Sequence, residues 1–180
     1  MIFDRPDAFS GDECDRIIAL GEGGDPRPAP VYGRTGEEAV DTAVRDVITS
    51  YRARSDETAW LYARLDALFA EAGVALGSPV GPIAEDVQIL RYGPGCHFGL
   101  WHSDAGFDVQ GARILSVSVE LSEPGDYDGG MLEIVPETVG RARTLPRGGA
   151  RFFPSRALHR VTPVTRGVRH ALVIWTGAAG

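Results

Sequence analysis

His102 and Asp104 stand two residues apart, so on a β-strand both side chains leave the same face and can meet one cation. A third donor has to come from another segment. His159 lies 57 residues on (159 minus 102), at the start of a second strand-like run. Two imidazoles and one carboxylate on a rigid sheet leave part of a metal's coordination sphere open. Non-haem iron(II) sites are built from this donor set, and zinc or manganese also accepts it. The open positions are where a chelating co-substrate and dioxygen would bind.

Arg169 follows ten residues after His159, beyond a turn from Pro163 to Gly167. The alternate positions of its strand, Ala171, Val173, Trp175 and His170, Leu172, Ile174, are mostly apolar. A strand apolar on both faces is a buried strand, and a buried guanidinium demands an anion. The distal carboxylate of 2-oxoglutarate would satisfy it through a bidentate fork. A surface Asp or Glu would do the same if Arg169 sits at the wet end of the strand, and spacing leaves both open. Arg45, Arg52 and Arg54 would form a carboxylate clamp if their segment folded over the site, but are read as solvated.

The elements that must hold these groups change character along the chain. Ser10 can cap a helix reaching Gly21, with Asp12 and Glu13 in its first turn and Cys14, Ile17 and Ile18 as an apolar stripe. Residues Gly23 to Gly36, rich in Pro and Gly, read as an exposed loop. A second packing helix is expected after Ser55 through Trp60, Leu65 and Phe69 to Gly73. Beyond Pro82 the pattern becomes short apolar runs between Gly, Pro and Asp turns: Val87 to Tyr92, Ile114 to Leu121, Met131 to Val135, Ala150 to Phe153 and Val168 to Trp175. Helices followed by seven or eight such runs predict an α+β domain, an antiparallel barrel or jelly roll buttressed by amino-terminal helices.

The chain of 180 residues is expected to form one domain, with helical support and loop over 1–83 and the core over 84–176. A net charge of -7 argues against a nucleic-acid partner. Two cysteines, Cys14 and Cys96, are too few for a disulfide scaffold. No apolar run is long enough to span a membrane, and the first ten residues do not read as a signal peptide. A cytoplasmic location is expected, and oligomeric state is not legible.

Four blocks carry a family likeness: LRYGPGCHFGLWHSD, SVSVELSEPGDYDGGMLEI, LPRGGARFFPSRALHRVTPVTRG and VRHALVIW. With them, the stretch from about Asp86 to Trp175 resembles the prolyl-4-hydroxylase-like branch of the iron(II)/2-oxoglutarate dioxygenases, closest to the bacterial PKHD-type hydroxylases. In the first half the likeness is loose, chiefly DETAWLYARL.

The resemblance implies a double-stranded β-helix, or cupin-like jelly roll, in which His102, Asp104 and His159 bind Fe(II) and Arg169 binds the distal carboxylate of 2-oxoglutarate. It also implies two helpers near that carboxylate, Tyr92 and Ser116. Without it, Tyr92 is a half-buried strand tyrosine and Ser116 a structural serine. The implied reaction uses O2, with ascorbate as an additive in vitro, to hydroxylate an unactivated C–H bond, releasing succinate and CO2. The presence of Asp104 favours hydroxylation over halogenation. The substrate is expected to be an amino acid, short peptide or biosynthetic intermediate. Two other readings use the same residues: a cupin-like zinc or manganese isomerase or hydrolase, and a metal-free jelly-roll module binding a small molecule. His97 is read as a loop residue, His170 and Arg160 as facing away from the site, and Asp126 and Asp128 as turn residues. Phe98 and Trp101 could line the substrate pocket or belong to the core. Cys96 could expose a thiol to oxidation.

Overall fold

A computed structural model of the chain describes residues 1–32, 37–105, 113–139 and 144–178. The first element is a short strand, β1 (Phe3–Arg5). Ser10 then caps α1 (Gly11–Glu22): its hydroxyl accepts the Glu13 backbone N–H, and the Glu13 carboxylate accepts that of Ser10. This reciprocal pair satisfies two of the N–H groups a helix start leaves without partners. Cys14, Ile17 and Leu20 form the buried stripe of α1.

The stretch read as a loop contains short strands instead. β2 (Arg27–Pro28) and β3 (Val31–Tyr32) lie within it, followed by β4 (Glu38–Ala39), β5 (Arg45–Asp46) and β6 (Ile48–Arg52). Residues 33–36 of that expected loop lie outside the described residues. β2 to β5 are two residues each, too short for any alternation to advertise them; partners across the sheet hold them.

α2 (Ala59–Leu76) begins four residues after Ser55 and outlasts Gly73, ending at Gly77 in the left-handed conformation (φ 62°, ψ 31°) that favours glycine. The strands β7 (Val87–Tyr92), β8 (His97–His102), β9 (Arg113–Glu120), β10 (Tyr127–Gly129) and β11 (Leu132–Ile134) follow. The chain closes with β12 (Ala150–Pro154), β13 (His159–Val161), β14 (Val164–Gly167) and β15 (Arg169–Gly177).

These strands form the expected α+β jelly roll. One antiparallel sheet has the order β1-β12-β9-β15-β7-β6-β2, and a smaller one the order β11-β13-β8-β5. Two ribbons, β10-β14 and β3-β4, complete the set among the described residues. The first 83 residues are more than helical support and loop, because β1, β2 and β6 extend the large sheet at both edges and β5 extends the small one.

The large sheet has two unlike faces. Leu115, Val117 and Val119 of β9, Leu172 and Ile174 of β15 and Phe152 of β12 share one apolar cluster with Ile17 of α1 and Leu61, Leu65 and Phe69 of α2. Phe152 meets Phe69 edge-on at 5.2 Å and Phe3 at 6.0 Å, which ties α2 and β1 to the centre of the sheet. Period-two alternation turns the residues between them, Ser116, Ser118, Glu120, Arg169 and Trp175, to the opposite face. On that side a smaller cluster, including Leu90, Tyr92, Val161 and Val164, joins the two sheets. The polar residues of β9 and β15 therefore face the space between the sheets.

Candidate metal centre and co-substrate pocket

β8 and β13 are antiparallel neighbours with His159 opposite His102, so sheet register alone sets the two imidazoles side by side at 4.2 Å between ring centroids. Asp104 lies just beyond the end of β8. The Asp104 and Ala105 N–H groups both donate to the Ser155 carbonyl, at 2.9 and 3.0 Å, and the Ser103 hydroxyl donates to the same oxygen. The turn is thereby fastened to the segment that leads into β13. Nε2 of His159 stands 3.4 Å from one Asp104 oxygen, and Nε2 of His102 stands 4.0 Å from the other. One ligand atom from each of the three residues lies within 4.8 Å of the others.

The proton positions suit a cation. Each imidazole places Nδ1 against a backbone carbonyl two residues earlier, His102 on Leu100 at 2.9 Å and His159 on Ala157 at 3.0 Å. A carbonyl only accepts, so Nδ1 carries a hydrogen, and in the neutral rings the Nε2 lone pair is left facing Asp104. Burial, then the neighbouring His159, hold the His102 pKa down to about 4 against the pull of Asp104. For His159 burial opposes the charge, but the Asp104 carboxylate outweighs it and raises the pKa. Burial likewise opposes ionisation of Asp104, yet the His159 charge and hydrogen bond hold it well below the usual carboxylate range. A fixed carboxylate facing two nitrogen lone pairs fits a divalent metal.

Ser116 falls elsewhere than the resemblance placed it. Its hydroxyl donates to Asp104 at 2.7 Å and lies 3.0 Å from the Ser155 hydroxyl, at the metal end of the site. Ser116 pairs with Trp175 in the sheet register. Its hydroxyl therefore orients the Asp104 carboxylate.

Arg169 is 1% exposed and Tyr92, its register partner on β7, is 2% exposed. The Arg169 Cζ lies 5.4 Å from the Tyr92 ring centre. Burial pushes the Tyr92 hydroxyl up in pKa despite the Arg169 charge, so it stays protonated and able to donate. In this structure the guanidinium pairs with an acid of the chain itself: Nε donates to Glu120 at 3.0 Å, and Nη2 donates to the other oxygen of that carboxylate. Glu120 is buried too, and accepts the Tyr127 hydroxyl at 3.2 Å. Gly130, at φ +60°, faces this group so closely that a Cβ there would stand 3.0 Å from Arg169 Cδ and 2.9 Å from Val164 Cγ2.

Arg45 departs from its reading as solvated. It is buried on β5 opposite Phe98, with Cζ 5.0 Å from that ring, and Phe98 in turn stacks on His102 at 3.7 Å. It donates to the Pro30 carbonyl at 2.9 Å and to Gln88 at 3.4 Å, while its buried Nε meets no acceptor among the described residues. Arg52 donates to the Leu20 carbonyl, and Arg54 pairs with Asp66 at the surface. His97 is a β8 residue, not a loop residue, and its Nδ1 accepts the Gly99 N–H at 3.0 Å. Arg160 pairs with Glu133 and lies over Trp101 at 4.6 Å, away from the metal ligands.

Sequence reasoning missed Glu120 and underrated Arg45. The signal for Glu120 was present: from Leu115 to Ser122 every second residue is polar, marking one face of β9 as lining something other than an apolar core. Arg45 carried no comparable signal, because it lies on a strand only two residues long.

Comparison with known proteins agrees with this geometry. A family model described as the 2OG-Fe(II) oxygenase superfamily matches residues 87–177. A PKHD-type hydroxylase of Nitrobacter winogradskyi is 44% identical over 91 residues, covering 48% of this chain and 40% of the relative. One from Hyphomonas neptunium is 42% identical over 92 residues, covering 48% and 40%. The chain thus spans about two fifths of the length of these curated relatives. A prolyl-4-hydroxylase of Pseudomonas putida superposes with a TM-score of 0.72 at 20% identity, covering 99% of this chain and 93% of that one. A viral collagen prolyl hydroxylase from Paramecium bursaria Chlorella virus-1, solved as a 2OG complex, gives 0.69 at 18% identity, covering 99% and 96%. At such identities the two structures speak for the fold.

Proposed function

This chain belongs to the 2OG-Fe(II) oxygenase superfamily, and on that premise we propose that it is an iron(II)- and 2-oxoglutarate-dependent hydroxylase. In this reading it oxidises an unactivated C–H bond of an amino acid, short peptide or biosynthetic intermediate and releases succinate and CO2. The observation that carries it is the convergence of His102, Asp104 and His159, with one ligand atom of each within 4.8 Å of the others. Those three residues would hold iron(II). When bound, the iron supplies the oxidative chemistry together with 2-oxoglutarate and O2.

The chain's own residues supply the rest. Ser116 fixes the rotamer of Asp104, and the Leu100 and Ala157 carbonyls fix the tautomers of the two histidines. Arg169 and Tyr92 offer donors for the distal carboxylate of the co-substrate, deep between the sheets where water is excluded. Arg45 favours a substrate that carries a carboxylate. It is a buried cation beside Phe98 and His102, and both its acceptors are neutral. A cytoplasmic location belongs to the same reading; among the described residues no helix is long and apolar enough to cross a membrane.

The test is succinate release from 2-oxoglutarate with Fe(II), ascorbate and O2, alongside a mass-spectrometric screen of amino acids and short peptides for the gain of one oxygen. Turnover in the wild type and its loss in His159→Ala are expected. Equal turnover in the two proteins refutes the assignment.

A further inference from the structure

Arg169 and Glu120 bear on the co-substrate in a way the proposed function does not include. The Nε and Nη2 edge of the guanidinium is already used by a carboxylate of this chain. The pair is buried on both sides, and burial, which opposes the Arg169 charge, is outweighed by the Glu120 carboxylate, so the pKa of Arg169 is raised. Tyr127 donates to the same carboxylate. Gly130 and Val164 close the space beside the Arg169 stem. The guanidinium is thus held toward Glu120 through its Nε and Nη2 edge.

A dicarboxylate co-substrate brings its distal charge to a site whose formal charge already sums to zero. Two carboxylates against one buried guanidinium repel each other, and the third charge loses its hydration without a full counter-charge. The other charged and titratable groups that face Glu120 offer little relief. Tyr92 of β7 and Tyr127 of β10 are neutral phenols with raised pKa values, that of Tyr127 pushed up to about 12 by burial and then by Glu120 itself. Arg151 of β12 lines the same cleft with Ser118, Met131 and Leu132, but donates to both oxygens of Asp4 at 2.8 Å.

We infer that Glu120 is a resident competitor for the distal carboxylate at Arg169, and so is the residue that sets how tightly this site takes 2-oxoglutarate and how well it rejects 2-oxo acids lacking that carboxylate. It is a specificity-determining residue, not a catalytic one. The inference rests on the proposed function, since it takes Arg169 as the distal anchor. A 2-oxo monocarboxylate meets no such repulsion, because its far end is a methyl group.

The experiment is calorimetric titration of the full chain, loaded with Fe(II) and kept free of O2, with 2-oxoglutarate and separately with 2-oxopentanoate, its analogue ending in methyl. In Glu120→Gln, which keeps the shape and removes the charge, 2-oxoglutarate should bind at least about tenfold more tightly and 2-oxopentanoate within about twofold of wild type. If wild type binds 2-oxoglutarate and Glu120→Gln binds it no more tightly, the inference falls and the functional reading stands. If iron binds but neither protein takes up either 2-oxo acid, both fall. Wild type alone also decides the matter should the variant not fold: a preference for 2-oxoglutarate over 2-oxopentanoate above about a thousandfold overturns the inference.

Discussion

Phe98 lies flat on His102, with ring centroids 3.7 Å apart and an interplanar angle of 18°. The two residues sit four apart on one strand, and the stack covers one imidazole face while the Leu100 carbonyl holds its Nδ1. Phe98→Ala removes that cover and loosens the ring. Metal affinity should fall by about tenfold, in the range seen when supporting contacts of a ligand are lost. Titration with Mn(II) followed by electron paramagnetic resonance reads this directly, and unchanged affinity would show that the carbonyl alone is enough.

Ser116→Ala leaves one Asp104 oxygen without its 2.7 Å donor. The carboxylate then has rotational freedom to lose on binding, so metal affinity should again drop by about 10- to 100-fold. Because Ser116 faces away from the apolar cluster, unfolding free energy should change by only about 1 kcal/mol. A large loss of stability with intact metal binding would mean that the hydroxyl serves the fold instead.

Acidification should weaken metal binding, and His159 is the residue responsible. Its pKa is raised, with the Asp104 carboxylate outweighing burial, whereas His102 is held down to about 4 and is already neutral near neutral pH. A metal ion takes the Nε2 lone pair and expels any proton there. Affinity should therefore be greatest above the His159 pKa and decline as pH falls through it. Metal titrations between about pH 6 and 9 would show a slope approaching one proton per ion at the acid end. A flat profile contradicts the assignment.

Arg45 is buried with neutral acceptors, a costly state for the fold. Arg45→Met keeps the volume and removes the charge, so the protein should gain about 0.5–2 kcal/mol in denaturant unfolding. The same variant should lose affinity for carboxylate-bearing substrates while binding 2-oxoglutarate as before. Destabilisation by Arg45→Met would show that its contacts with Pro30 and Gln88 matter more to the fold than its charge costs.

Much of the site was legible because local rules govern it. The i, i+2 spacing of His102 and Asp104 and the start of a strand at His159 are short-range signals, as is the Ser10 capping box. The pairing of Arg169 with Glu120 joins residues 49 apart in the chain, and the choice between an internal acid and a bound one is decided by packing. At Arg169 the buried guanidinium does meet an anion, and which one was a tertiary question; Arg45, buried against neutral acceptors, shows that burial alone does not dictate one. The same limit hid β5 and β6, whose residues become strands only beside β8 and β7. It also misplaced Ser116, since the sheet register that puts it opposite Trp175 is not written in spacing along one chain.

β9 carries a further consequence. Leu115, Val117 and Val119 belong to the cluster under the helices, while Ser116 and Glu120 reach Asp104 and Arg169 on the other face. Neighbouring codons thus address two faces of one strand, the odd ones the apolar cluster and the even ones the polar side between the sheets. Drift at the even positions would therefore reshape the polar cleft, while drift at the odd ones would be felt first in the packing against α1 and α2.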